Sequence, residues 1–263
     1  KFLEERRYKM GYLRDLLRPI FRLITSPHIN AICKKTEKEF DKYKGKYIGQ
    51  RCFIVANGPS LRMEDLDRLA DEGEITFGMN CIYVLYDRTK WKPTFYMVQD
   101  PTVIRCCHDE IKKQVKNSVV FVKVPGEPRY DISGAINMKI DYSRSEKHLS
   151  PSFYDGKKCL FADGRSVTYT GLQLAVYMGF KEIYLLGADC NYSIDNKSIN
   201  KNSYPDSRMY SPDKVGMPPD MAYTFSAYEV AKENAEKKGI KIYNATRGGK
   251  LEVFERVDFD SLF

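Results

Sequence analysis

Four times along this chain an apolar, strand-like run stops at a small polar or acidic residue. That repetition confines the possible folds more than any other feature. Phe53-Ile54-Val55-Ala56 stops at Asn57, and Ile75-Thr76-Phe77-Gly78-Met79 stops at Asn80. Phe95-Tyr96-Met97-Val98 stops at Gln99-Asp100, and Ile183-Tyr184-Leu185-Leu186-Gly187 at Ala188-Asp189. Helical stretches fall between and after them: from near Met63, over 82–88, 103–116, 166–178 and 224–238. Further strands are expected over 118–124 and 240–243. Strand and helix in alternation are the signature of a parallel sheet. The expected class is α/β, a Rossmann-like, mostly parallel sheet with helices on both faces. Ligands of such sheets sit beyond the carboxyl ends of the strands. Ends at Asn, Asn, Asp and Asp would line one crevice with hydrogen-bonding groups and carboxylates, a setting for a nucleotide-like ligand.

The length of 263 residues suffices for one large domain, or one domain with a subdomain. No run approaches the roughly 18 apolar residues of a membrane span, and no signal peptide is expected. The seven Cys residues include an adjacent pair, Cys106-Cys107, and no C-x-x-C spacing. Free thiols in a reducing cytosol are expected, with neither a disulfide framework nor a zinc site. The net charge is +8, and residues 1–46 carry 13 Lys/Arg against 6 Asp/Glu. The basic character therefore belongs to the N-terminus and gives no reason to expect nucleic-acid binding by the core.

Residues 1–45 are expected to form a basic amphipathic helical arm, and 46–263 the α/β domain. Leu13, Leu16, Leu17, Ile20, Phe21, Leu23 and Ile24 follow helical spacing, with Arg14, Arg18 and Arg22 between them. Such a stretch suits an anionic membrane surface, or packing on the domain or on a second subunit. Lys34 to Lys46 reads as a charged connector. Residues 125–160, rich in Pro, Gly, Ser and Tyr, read as irregular. The polar segment 191–222 contains four Pro and far exceeds a routine connection. It is expected to be a lid over the crevice.

Asn57-Gly58-Pro59-Ser60 joins a strand to a helix. Gly58 permits close approach to the backbone, Pro59 fixes the bend, and Ser60 or Asp65 can cap the helix. A helix N-terminus placed there suits an anion such as phosphate. The motif is neither G-x-G-x-x-G nor a Walker A loop, which argues against NAD and against a P-loop nucleotidase. Gly164-Arg165-Ser166-Val167-Thr168 opens the next long helix, with Arg165 as a clamp for phosphate or carboxylate and Ser166 and Thr168 supplying hydroxyls. Either group of residues would also serve as an ordinary turn and helix cap. Asp189 and Asp100 can each bind ribose hydroxyls, act as a base, or cap the turn that follows. No D-x-D stands at a strand end, and Asp258-Phe259-Asp260, which has that spacing, lies in the tail, so a metal-free site is favoured. Of three His residues, His28, His108 and His148, only His148 is placed to enter a site.

The strand-end blocks, together with Lys92-Pro93-Thr94 and the run Gly179-Phe180-Lys181-Glu182, resemble proteins carrying the 6-hydroxymethylpterin pyrophosphokinase-like domain. That group includes Maf-type flagellin glycosyltransferases. Asn244-Ala245-Thr246 through Gly249-Lys250-Leu251-Glu252 is similar to its C-terminal motif. The blocks are similar, more distantly, to bacterial sialyltransferases of glycosyltransferase family 42. The resemblance covers about residues 46–256.

The sialyltransferase resemblance implies a CMP-linked nonulosonic acid donor and an inverting, metal-independent transfer. It would place Asn57, Ser60 and Asn80 on the phosphate and ribose, and Asp189 on the nucleotide. Tyr192, with Tyr204 or Tyr210 from the lid, would meet the leaving phosphate. The His that this family uses as base, before the last long helix, is missing from Asp220-Met221-Ala222-Tyr223-Thr224. Asp220, Asp189, Asp100 and His148 are the candidates for its role. The expected function is therefore sugar transfer to a surface glycan or glycoprotein, without a cofactor. A 6-hydroxymethylpterin diphosphokinase using ATP and magnesium, or a non-catalytic nucleotide-sugar-binding subunit, are the alternatives. A cytoplasmic homo-oligomer, peripheral to the inner face of the cell membrane through its arm, completes the expectation.

Overall fold

A computed structural model describes residues 27, 29–124, 128–191, 203–209 and 220–263. Residues 29–41 are helical (α1). They are followed by β1 (Arg51–Val55), α2 (Met63–Asp71), β2 (Thr76–Met79) and a 3-10 helix (Asn80–Asp87). Next come β3 (Phe95–Val98), α3 (Pro101–Gln114), β4 (Val119–Lys123), β5 (Ile136–Asp141) and β6 (Leu160–Ala162). The chain continues through α4 (Val167–Met178), β7 (Glu182–Leu186), α5 (Met221–Glu236), β8 (Lys241–Asn244) and β9 (Glu255–Arg256).

The nine described strands form one sheet in the order β6-β5-β4-β3-β2-β1-β7-β8-β9, with every neighbouring pair parallel. The chain therefore starts near the middle, builds outward to β6, and returns to the other side of β1 to lay down β7. The loops after β1 and β7 meet at that reversal, the edge at which open parallel sheets bind their ligands. Arg51 pairs with Glu182 and Val55 with Leu186, so the two strands finish level.

Side chains alternate between two apolar layers, as a period of two requires. Cys52, Ile54, Phe95, Met97, Ile183 and Leu185 face one layer; Phe53, Val55, Tyr96, Val98, Tyr184 and Leu186 face the other. The first layer is covered by α1, α4 and α5, the second by α2, α3, the 3-10 helix and the C-terminal tail. α4 is buried almost all round, which explains its lack of any charged residue.

Two expectations need correction. The connector 34–46 is the end of α1 and a series of turns packed on the domain. Phe40 stacks on Tyr177 at 4.5 Å and Tyr47 on Phe180 at 4.8 Å, while Gly45 N–H donates to the Tyr177 carbonyl. The segment 125–160, expected to be irregular, contains β5 and the first residue of β6. In β5, Ile136 and Met138 turn into the core while Asn137 and Lys139 stay partly exposed. The remainder of the amphipathic arm, residues 1–26 and His28, lies outside the described residues. No described helix is long and apolar enough to cross a membrane.

Candidate functional site

The reversal point brings together residues more than a hundred positions apart. Ser60 Oγ donates to Asp189 Oδ2 at 2.8 Å, and Ser60 N–H approaches the same oxygen at 3.4 Å. Gly58 N–H donates to the Gly187 carbonyl at 2.8 Å. A Cβ on Gly58 would overlap both Asp189 Oδ2 and the Gly187 carbonyl. The space beside this glycine is thus taken by the β7 loop itself. Asp189 is 7% exposed, and burial raises its carboxyl above the usual range, opposed by the Ser60 bonds and the nearby Arg256.

Asn57 and Asn80 stand next along the same edge. Asn57 Nδ2 donates to the Met79 carbonyl at 3.0 Å, tying the β1 loop to the end of β2. Asn80 takes a left-handed backbone, φ 51°, which Asn tolerates better than most residues. Tyr96 donates its hydroxyl hydrogen to the Asn80 carbonyl. The Asn57 and Asn80 Oδ1 atoms are both buried without a hydrogen-bond partner among the described residues. Unsatisfied buried polar atoms are rare in folded chains, and these two lie on adjacent strand ends.

The start of α4 meets the middle of α5 beside this edge. Ser166 caps α4, accepting from Thr168 N–H at 3.2 Å. Tyr228 of α5 donates to Ser166 Oγ at 3.3 Å. Thr168 Oγ1 reaches the Met79 sulfur at 3.5 Å, and Thr170 donates to Gln99 at 2.5 Å, which fixes α4 over the ends of β2 and β3. At Gly164, a Cβ would strike the Tyr169 ring, so its lack of a side chain serves helix packing. Arg165 has φ 59°, and its guanidinium donates to the Ser145 carbonyl at 2.8 Å.

Among the proposed bases, Asp100 caps α3 by accepting from Thr102 N–H at 2.7 Å. Asp220 caps α5 by accepting from Tyr223 N–H at 3.1 Å. His148, also left-handed at φ 49°, brings Nδ1 within 3.8 Å of Asp220 Oδ2. Two of the four candidates are thereby paired at the α5 N-terminus, while Asp189 sits apart at the reversal point. Pro59 is exposed at the bend. Tyr192, Tyr210 and most of the expected lid lie outside the described residues. Residue 191 and residues 220–222, which open α5, are described, and so is the stretch 203–209, which is fastened to the 3-10 helix. Arg208 pairs with Asp87 at 2.6 Å and Arg88 with Asp206 at 3.2 Å, with Met209 buried below.

Sequence reading missed two supports. Asp163, after β6, is buried; it accepts from Ser145 Oγ at 2.6 Å, Arg165 N–H at 3.0 Å and Gln99 Nε2 at 3.3 Å, and so sets Arg165 in place. The loop after β8 buttresses Asp189: Lys250 N–H donates to the Asp189 carbonyl at 2.7 Å, and Gly249 packs against its backbone. Asn244 holds that loop by donating to the Leu251 carbonyl and accepting from Thr246 N–H. The Asn244 to Glu252 block was noted for its resemblance alone; its glycines and its Asn-x-Thr were the available signal. Among the described residues, no group of three or more His, Cys, Asp or Glu is arranged to hold a metal ion.

Comparison with known proteins agrees with this architecture. The family model for 6-hydroxymethylpterin diphosphokinase MptE-like proteins matches residues 27–195, and the chain belongs to that family. No curated protein matches it by sequence. Among solved structures, the Maf glycosyltransferase from Magnetospirillum magneticum AMB-1 superposes with a TM-score of 0.55 at 16% identity over 88% of this chain. This chain spans 39% of the length of that protein, and the likeness is one of fold. The sialyltransferase CstII from Campylobacter jejuni, solved with cytidine-5'-monophosphate, is 15% identical with a TM-score of 0.46, over 80% of this chain and 85% of that one.

Proposed function

We propose that this member of the MptE-like family is a glycosyltransferase that moves a sugar, a nonulosonic acid, from a CMP-linked donor to a surface glycan or glycoprotein. The observation that carries the reading is the pair of buried, partnerless amide oxygens of Asn57 and Asn80 beside the Ser60–Asp189 pair. Amide and carboxylate oxygens there accept from ribose hydroxyls and a base amino group. The choice of cytidine monophosphate rests on the resemblance of the strand-end blocks to family 42 sialyltransferases.

In the proposed reaction an acceptor hydroxyl oxygen attacks the anomeric carbon while the bond to the phosphate oxygen breaks. CMP departs with that electron pair, and the hydroxyl proton passes to a base. The first-turn amides of α4 and the Arg165 guanidinium face the developing charge on the leaving phosphate. His148, paired with Asp220, takes the proton. Asp100 is already used to cap α3, and Asp189 is assigned to the nucleotide. The proposed setting is peripheral to a membrane that carries the acceptor, with the basic N-terminal arm as the contact and a homo-oligomer as the working unit.

The family description supports a second reading, transfer of diphosphate from ATP to a hydroxymethylpterin, which needs a divalent cation between the phosphates. The two separate by product analysis. Incubation with CMP-linked sugar and a mixed glycan acceptor, with chelator present, should release CMP and label the acceptor. Formation of AMP from ATP only with magnesium and the pterin alcohol, and no release of CMP, would replace the first reading by the second.

A further inference from the structure

A second concave region lies along the same edge, beyond the ends of β3, β4 and β5. It is a cavity of about 360 Å³ lined by Pro101, Lys123, Tyr142, Glu146 and Arg165. Lys123 ends β4, and its neighbours in the strand are buried. Among the described residues its ammonium makes neither a hydrogen bond nor an ion pair; it lies over the Tyr142 ring, 5.7 Å from the centroid. Burial lowers the Lys123 pKa, and the charge of Asp100 partly restores it. Burial pushes the Tyr142 hydroxyl well up, so it stays protonated and able to donate. Arg165 is held at the rim by Ser145 and by Asp163, 3.9 Å away.

A lysine whose only task is solubility keeps its ammonium in water. This one is half-buried against the cavity wall, with no counter-ion in contact among the described residues, next to a second cation and a phenolic donor. A buried charge without a partner is costly, and a ligand anion removes that cost. Glu146, on the same wall, is an acceptor and would repel a bare polyanion. Donors on one side and a carboxylate on the other suit an anion that also carries hydroxyls.

We propose that this cavity is a subsite for a hydroxylated anion, a sugar bearing a carboxylate or a phosphate, with Lys123 and Tyr142 donating to the anionic group. Assigning it to the transferred or the accepting sugar rests on the transferase reading; the anion subsite itself does not.

The test titrates the full chain, free of nucleotide, with glucuronate and separately with glucose 6-phosphate. The variants are Lys123→Met, which keeps most of the apolar stem, Lys123→Arg and Tyr142→Phe. At least one ligand should bind the unaltered chain, and which one identifies the anion. Lys123→Met should weaken that binding by about tenfold or more, as loss of a charge-assisted hydrogen bond does. Lys123→Arg should retain most of it, and Tyr142→Phe should weaken it by a smaller factor. CMP affinity, measured in parallel, should be the same in all four proteins. Absence of binding by both ligands, or binding unmoved by Lys123→Met and Tyr142→Phe in folded proteins, overturns the subsite. CMP binding without anion binding removes this inference alone; anion binding without CMP binding removes the nucleotide reading alone.

Discussion

Ser60 Oγ and Asp189 Oδ2 meet at 2.8 Å although 129 residues separate them. The bond closes the floor of the crevice where the sheet reverses direction. The Ser60 N–H reaches the same oxygen at 3.4 Å, and burial still raises the carboxyl against these bonds. Charge stored in this way is common where a ligand later supplies the missing donors.

That arrangement sets a pH dependence. The Asp189 pKa is raised by burial, so folding favours its protonated form. Its contribution to stability is therefore greatest at pH below the ordinary carboxylate value and is lost as pH rises through the raised value. Asp189→Asn keeps an oxygen for Ser60 and removes the charge. It should melt above the unaltered protein at pH 7, with the gap closing as the pH is lowered, while nucleotide affinity falls. Thermal melts across pH, paired with titrations, check both halves.

Gly58 is a packing requirement. An added methyl would meet Asp189 and the Gly187 carbonyl, and neither can retreat without moving β7. Gly58→Ala should cost about 1–3 kcal/mol, the usual range for overpacking, measured by chemical denaturation. A variant as stable as the parent would show that the two loops are not packed together.

The loop that supports Asp189 is anchored by Arg247, whose guanidinium makes two bonds to Asp65 on α2, at 2.8 and 2.9 Å. The Asp65 side chain is 5% exposed. Arg247→Met should destabilise by about 3–5 kcal/mol because it leaves that carboxylate buried and unpaired. Arg247→Met combined with Asp65→Leu should recover much of the loss. Denaturation of the single and double variants reads the coupling directly.

His148→Gln should lower the transfer rate by about 10²–10⁴-fold, the range for a general base, and leave CMP affinity unchanged. Asp220→Asn preserves a helix cap, so it should reduce the rate less and leave the melting temperature close to that of the parent. Steady-state rates paired with CMP titrations separate a base from a donor-binding residue: replacing the former lowers the rate at unchanged affinity.

Much of the architecture was legible because β1, β2, β3 and β7 are apolar runs with abrupt polar ends. The period of two and the intervening helices fixed both the parallel sheet and its functional edge. β5 escaped because its alternation, Ile136 and Met138 against Asn137 and Lys139, is embedded in Pro- and Gly-rich sequence. β6 and β9 are three and two residues long, too short for a pattern. The packing of Phe40, Tyr43 and Tyr47 was hidden among lysines, although their spacing of three and four is helical. The meeting of His148 with Asp220, and of Asp163 with Arg165, depends on loops far apart or on backbone turns that composition does not encode.

The most direct test is calorimetric titration of CMP, with chelator present, into the unaltered protein, Asn57→Ala and Asn80→Gly. The glycine accepts the left-handed backbone at position 80. The account requires binding by the parent and a loss of about tenfold or more in each variant, with melting curves that remain cooperative. Equal affinity in a folded variant, or no affinity in the parent, would contradict a nucleotide site at these strand ends.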